Sequence, residues 1–285
     1  MIGVTGASGR LGRLVIGELL RRVPADRVVA LARSPEKVSD LAQHGVLVRR
    51  ADYDDPATLD AALAGIERLL LISGSEIGRR IAQHRHVIQA AVRAGVQLVA
   101  YTSLLHADRS PLRALAEEHL ATEEALRSSG LAWVILRNSW YTENYEDRVR
   151  AAAATGELLG ATGRARIASA VRADYAAAAA QVLTGAGHAG QVYELAGDEA
   201  WTMQDLANTI AEVLGRPVLY RDRSPQAYAD ALVAQGTPRP LAEILAALEA
   251  GIAQDALFDD GHQLSRLIGR PTVPLRAVVR GWLLG

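Results

Sequence analysis

The sequence predicts an α/β fold, a doubly wound parallel sheet with a smaller, mostly helical C-terminal lobe. Three observations predict it. Short aliphatic and β-branched runs alternate with segments of helical periodicity through the first half of the chain. Those runs are apolar almost throughout rather than on alternate residues, as expected of strands covered on both faces. The first of them leads directly into a glycine-rich turn.

The expected strands are residues 1–5, 27–32, 46–50, 68–73, 97–102 and 131–136, and the expected helices between them are 10–22, 35–43, 56–64, 79–94 and 112–129. In the fourth of these helices Ile81, Val87, Ile88, Ala91 and Val92 favour one face, and Gly95 follows where a helix should stop. Right-handed crossovers between such units give a doubly wound sheet. After residue 137 the alternation breaks. Residues 146–155, 174–186, 201–215 and 225–257 read as helical, the last with a turn at 236–240, while 167–171 and 191–197 read as extended. The expected division is a nucleotide-binding domain over 1–137, to which 167–200 return, and a substrate-side lobe over 138–285.

The turn after the first strand, Gly6-Ala7-Ser8-Gly9-Arg10-Leu11-Gly12, has the spacing G-x-x-G-x-x-G between a strand and a helix. Gly6 makes the tight turn, Gly9 lets backbone approach a pyrophosphate, and Gly12 permits close helix–strand packing. The helix start behind them presents unpaired N–H groups and partial positive charge. This is the Rossmann-type arrangement for a dinucleotide. At the end of the second strand, where a carboxylate would select NAD, the chain has Arg33 and Ser34, with Lys37 one turn on. Arginine can fork onto a 2′-phosphate and lysine adds a point charge, so NADPH is the expected cofactor. Asp52, ending the third strand, is placed to meet the adenine edge or to serve a turn. Ser73, Gly74 and Ser75 end the fourth strand, where small residues let the inner ribose and nicotinamide pass close to backbone.

Composition excludes several chemistries. There is no cysteine, so disulfides, thiolate metal sites and cysteine nucleophiles are ruled out. A net charge of −1 gives no case for nucleic acid. No basic segment precedes an apolar stretch at the start, and no uncharged apolar run is long enough to span a bilayer; the expected compartment is the cytoplasm. Lys37 is the single lysine. A Tyr-x-x-x-Lys proton-transfer pair would therefore need tyrosine at position 33, which is arginine. His84 and His86, two apart on a helix, face apart and make a poor metal pair, so no metal is expected. His106 and His119 could approach the nicotinamide side but read as polar surface or orienting residues, and no catalytic residue is assigned. Asn138, Ser139, Trp140, Tyr141 and Asn144 follow the sixth strand, where amides, hydroxyls and rings could bind a carbonyl or stack a flat acceptor.

Taken together, TGASGRLG (5–12), ARSPEK (32–37), LLLISGSEIGRR (69–80), AYTSLLHADRSPL (100–112), LRNSWYTENY (136–145) and VYELAGDEAWT (192–202) resemble the NmrA-like atypical short-chain dehydrogenases, and among them the bacterial NAD(P)H:quinone oxidoreductases. Related proteins often carry a lysine at the place held here by His119, four before Glu123. The resemblance implies direct hydride transfer from NADPH to a small-molecule quinone, without flavin, a homodimer being allowed as the assembly. A quinone is a strong electrophile whose reduced oxygens take protons from water, so such a site needs mainly proximity and orientation. The competing reading is a non-catalytic NADP(H)-binding redox sensor of the same branch. A reductase for another carbonyl or sugar-derived substrate ranks below both.

Overall fold

The computed structural model describes residues 1–76 and 78–285. Ile77, part of the LLLISGSEIGRR stretch, lies outside the described residues. A seven-stranded, wholly parallel sheet is built from β1 (Ile2–Val4), β2 (Val28–Ala32), β3 (Leu47–Arg50), β4 (Arg68–Leu71), β5 (Leu98–Leu104), β6 (Ala132–Asn138) and β8 (Val192–Leu195). Its strand order is β3-β2-β1-β4-β5-β6-β8, reversing direction beside β1. In such sheets ligands lie outside the carboxyl ends of the strands at that reversal.

Successive side chains alternate between two buried faces. Val28, Ala30, Ala32, Leu70, Ala100, Val134 and Leu136 join one core with α1 (Arg10–Leu20) and α7 (Arg172–Thr184). Val29, Leu31, Leu69, Leu71, Val99 and Tyr101 join the other, under α3 (Pro56–Leu63), α4 (Arg80–Arg93) and α5 (Arg113–Arg127). Leu11, Val15 and Leu19 recur every fourth residue and are buried on α1. The run Ala176–Ala180 is wholly buried on α7, where short side chains let the helix lie close to α1 and the sheet.

Several elements depart from the sequence expectations. The helix expected over 35–43 is a 3-10 turn, Pro35–Val38, followed by the five-residue α2 (Ser39–Gln43). On α4 Val92 faces solvent, and the buried face instead carries Arg80, Gln83 and His84 beside Val87, Ile88 and Ala91. After β6 come α6 (Glu146–Thr155), β7 (Glu157–Gly160), α8 (Met203–Leu214) and β9 (Leu219–Asp222); β7 and β9 pair in a small parallel sheet that the sequence reading did not anticipate. Residues 167–171 make isolated bridges rather than a strand. The helical stretch 225–257 resolves into α9 (Pro225–Ala234) and α10 (Arg239–Ile252), and α11 (Gln263–Ile268) and α12 (Leu275–Leu284) were not expected. Tyr145, Val149, Trp201, Leu206, Ile210, Leu257 and Val279 form a further core among α6, α8 and α12. No helix among the described residues is long and apolar enough to cross a membrane.

Charge is buried where β5 and β6 meet α5. Arg137 donates from Nε and Nη2 to the two oxygens of Glu123, each at 2.9 Å, and from Nη1 to Glu194 at 2.8 Å. The Ser103 hydroxyl donates to Glu123 at 2.6 Å. Glu123 is fully buried and Arg137 nearly so, a cost offset only by paired, two-pronged geometry. Neutralising Glu123 strips Arg137 of its two-pronged partner and leaves it the bonds to Glu194 and Asp108. Glu123→Gln is expected to lower unfolding free energy by roughly 2 kcal/mol, the cost of weakened charged hydrogen bonds at a buried group, read by denaturant titration with an unchanged slope.

Candidate cofactor cleft

The glycine turn has the stereochemistry its spacing implies. Gly6 sits at φ +59°, in the left-handed region where a side chain is strained. A Cβ on Gly12 would lie 2.3 Å from the Gly6 carbonyl oxygen and 2.9 Å from the Ala7 Cα, so α1 can sit this close only with glycine there. Gly9 caps α1 without a side-chain hydrogen bond, and the first turn carries no acidic residue. The first i to i−4 bond runs from the Arg13 N–H to the Gly9 carbonyl, 3.1 Å. The N–H groups of Arg10, Leu11 and Gly12 precede it and have no acceptor within the helix.

A cleft of about 310 Å³ opens at this point. Its walls bring together eight of the residues singled out from sequence: Gly6, Ser8, Gly9, Arg33, Asp52, Ser73, Gly74 and Ser75. Ala7 and Leu11 are instead buried in the core beneath, and Gly12 is the packing contact. Arg10 and Lys37 are exposed and lie outside the walls. Lys37 belongs to the Pro35–Val38 turn, which Arg13 ties to α1 by donating to the Lys37 carbonyl and pairing with Asp40. Arg33 is largely exposed and reaches across the mouth to Glu76, 3.5 Å away. Asp52 is both turn and wall: its carboxylate accepts the Asp54 N–H at 3.1 Å, and its own N–H donates to Thr58 at 3.0 Å.

Sequence reading missed Tyr53, Asp54, Glu76 and Gln83, which also line the cleft. The Tyr53 hydroxyl lies 2.5 Å from Thr5 Oγ1 and 3.0 Å from the Ile72 carbonyl oxygen, joining the ends of β1 and β4. Burial pushes its pKa upward, so the phenol stays neutral. Its adjacency to Asp52 was the available signal. Glu76 had the same signal, standing next to Ser75, whereas Gln83 arrives from α4 and left none.

The residues after β6 diverge. Asn138 is buried with an Oδ1 that has no hydrogen-bond partner. The Ser139 hydroxyl donates to the Leu257 carbonyl at 3.1 Å inside the core. Trp140 is half-buried against the α6–α8 core. Tyr141 packs edge-on to Tyr175 with the Arg172 guanidinium 4.5 Å from its ring centre, and Asn144 is exposed and accepts from Arg172. None of these five lines the glycine cleft. A roomier groove, about 570 Å³, lies over the outer faces of α4 and α5 and includes Ser128 and Ser129, toward the opposite edge of the sheet.

Three of the histidines weighed above sit inside the fold. His84 is completely buried and His119 nearly so, the latter 2.7 Å from the Tyr101 hydroxyl. His106, expected to be a polar surface or orienting residue, adopts φ +50° and lies between Glu194 and Asp259.

A family model described as NAD(P)H-binding matches residues 6–186. The chain belongs to that NAD(P)H-binding family. It is 52% identical over 275 residues to quinone oxidoreductase 2 of Escherichia coli, covering 96% of each chain. It superposes with a TM-score of 0.96 on the E. coli NADPH-dependent quinone oxidoreductase complexed with NADPH, at 52% identity and 99% coverage of both chains. An NmrA-like family domain-containing oxidoreductase of Aspergillus flavus is 31% identical over 99% of this chain and 94% of its own. These similarities bear out the resemblance drawn from the motifs.

Burial pulls both His84 and His119 down to about 3, below their ordinary value of about 6.5. Unfolding therefore takes up protons between those values, and stability is full above pH 6.5 and drains as pH falls toward 3. Each histidine contributes a slope of up to about 1.4 kcal/mol per pH unit. His106, whose pKa Glu194 raises, acts only above pH 6.5, where its pairing is lost as pH rises, and does not oppose the loss below it. The unfolding temperature should therefore fall from pH 6.5 to 4.5. In His119→Gln that fall should be shallower, and an identical slope would contradict burial of His119 in the neutral form.

Proposed function

We propose that this chain is a cytoplasmic NADPH-dependent reductase that passes hydride to a quinone without flavin or metal. The observation that carries the reading is the cleft itself, in which an uncapped helix N-terminus and the Gly6–Gly9 backbone face Arg33 across an opening at the carboxyl edge of the sheet. The 52% identity to quinone oxidoreductase 2 over 96% of both chains supports the quinone as acceptor. The division into a cofactor domain over 1–137 and a substrate-side lobe over 138–285 belongs to the same proposal.

NADPH, when bound, supplies the hydride. The backbone of Gly6, Ser8 and Gly9 and the free N–H groups of α1 hold the diphosphate through partial positive charge and hydrogen bonds. Arg33 releases Glu76 and forks onto the 2′-phosphate, with Lys37 as a flanking charge. Asp52 borders the adenine end, and Ser73–Ser75 give a small-residue wall for the inner half. Trp140 and Tyr141, both part-exposed, would meet the flat acceptor and the unpartnered Asn138 Oδ1 would orient it, while Ser139, bonded into the core, and Asn144, held by Arg172, would fix the segment from behind. Two electrons and one proton arrive as hydride, and a second proton from water completes the hydroquinone. His84, bonded to Thr122 and the Gly74 N–H, and His119, bonded to Tyr101, are neutral and spoken for, which leaves that proton to water.

Loss of NADPH absorbance with benzoquinone or naphthoquinone tests the activity. Turnover above the uncatalysed rate is expected, and NADPH binding with no turnover on any quinone would return the molecule to the sensor reading. Arg33→Ala should weaken NADPH binding by roughly 10-fold or more while changing NADH binding little, since one charge-assisted fork is worth about 1.5–3 kcal/mol. Equal losses for both cofactors would remove Arg33 from the 2′-phosphate.

A further inference from the structure

One residue in the cleft wall, Gly74, is gripped from two sides. The Gly74 N–H donates to His84 Nε2 at 3.0 Å, and the Gly74 carbonyl accepts from Arg80 Nε at 2.7 Å. Both side chains come from α4, four residues apart and therefore on one face. Each is itself fixed by α5 at the matching spacing. His84 Nδ1 lies 2.9 Å from Thr122 Oγ1, and the Thr122 hydroxyl donates to the Glu118 carbonyl at 3.0 Å. Arg80 Nη1 pairs with Glu118 Oε2 at 2.9 Å, and both side chains are almost fully buried. Glu118 Oε1 also accepts the Gly78 N–H at 2.6 Å. Because Nε2 accepts from a backbone N–H, this network assigns the imidazole proton to Nδ1. A Cβ on Gly74 would stand 3.1 Å from Gln83 Oε1, so the loop is pressed against α4.

A trans peptide is planar, with its C=O and N–H pointing in opposite directions. Turning the Gly74 N–H toward His84 turns the Ser73 carbonyl away from α4. Turning the Gly74 carbonyl toward Arg80 likewise turns the Ser75 N–H away. We propose that His84 and Arg80 are positioning residues that orient the two peptides flanking Gly74, so that Ser73 presents a backbone acceptor and Ser75 a backbone donor to the dinucleotide. An acceptor and a donor side by side fit a primary carboxamide, which carries one of each. This rests on the reading of the cleft as the NADPH site. The two histidine bonds are coupled: without the Thr122 acceptor the Nδ1–H is left unpartnered, and the tautomer that accepts from Gly74 loses the bond that favours it.

The test uses the full-length protein and three readouts: NADPH affinity by fluorescence titration, hydrogen exchange at the Gly74 amide without cofactor, and the unfolding temperature. His84→Leu should expose the Gly74 amide to exchange and weaken NADPH binding about 10-fold. His84→Gln, whose Oε1 can accept from Gly74, should recover most of both. Should His84→Leu fail to fold, Arg80→Lys carries the test, because it keeps a charge for Glu118 but not a second directed donor for Gly74. That variant is expected to lose affinity with little change in unfolding temperature. Variants that lose thermal stability but bind NADPH like the native protein would overturn the positioning role and leave only helix packing. Native protein that protects Gly74 yet binds no NADPH would sink the cofactor reading, and the positioning role with it, while the hydrogen-bond assignment stood.

Discussion

The seat of α1 on the glycine turn is the constraint from which the cleft follows. With a carbonyl oxygen 2.3 Å from where a Cβ would be, position 12 admits no side chain without moving the helix. That contact sets the helix N-terminus against the carboxyl edge of β1, and Leu11, Val15 and Leu19 then lock the rest of the helix into the core. Arg13, one turn further on, reaches Asp40 and the Lys37 carbonyl, so the same helix also positions the turn after β2. The opening between turn and loop is a by-product of packing that leaves three N–H groups without acceptors.

The two faces of the sheet are unlike. Beneath α1 and α7 the contacts are aliphatic and alanine-rich, which permits close approach and little else. Between α4 and α5 the outer layer carries Arg80, His84, Glu118, His119, Thr122 and Glu123, all buried. Polar groups in such a place must be satisfied or they cost more than they contribute. Here they are tied into directed bonds that end on the loop after β4 and on side chains of β5 and β6. Neutral imidazoles and paired charges divide the task by environment: desolvation empties the histidines of charge, while Glu123 keeps its own because Arg137 meets both oxygens.

The parts of this arrangement that were legible in sequence are the local ones. A glycine turn followed at once by a helix is written in seven consecutive residues, and Arg33 follows its strand directly. Tyr53 and Glu76 are marked only by standing next to Asp52 and Ser75, whereas Gln83 reaches the same cleft from α4 through tertiary folding and no local pattern marks it. His119 read as surface because its partner Tyr101 is 18 residues away. The 138–144 string looked like one site because its residues adjoin in sequence. The chain is extended only as far as Tyr141 and turns into a 3-10 helix over Thr142–Tyr145, so Ser139 enters the core while Asn144 faces solvent. The strands β7 and β9 are four residues each and fall in stretches, 156–166 and 216–224, that the periodicity leaves unassigned.

The scarcity of lysine has a chemical consequence of its own. An acylating reagent at neutral pH meets two kinds of amine on this chain, the N-terminus and the Lys37 side chain. The first is held by Glu67 at 2.7 Å, whereas the second stands exposed on the turn that Arg13 anchors beside Arg33. The molecule thus carries, without engineering, a singly addressable side-chain handle near the mouth of its cleft. A fluorophore attached there would report what enters and leaves.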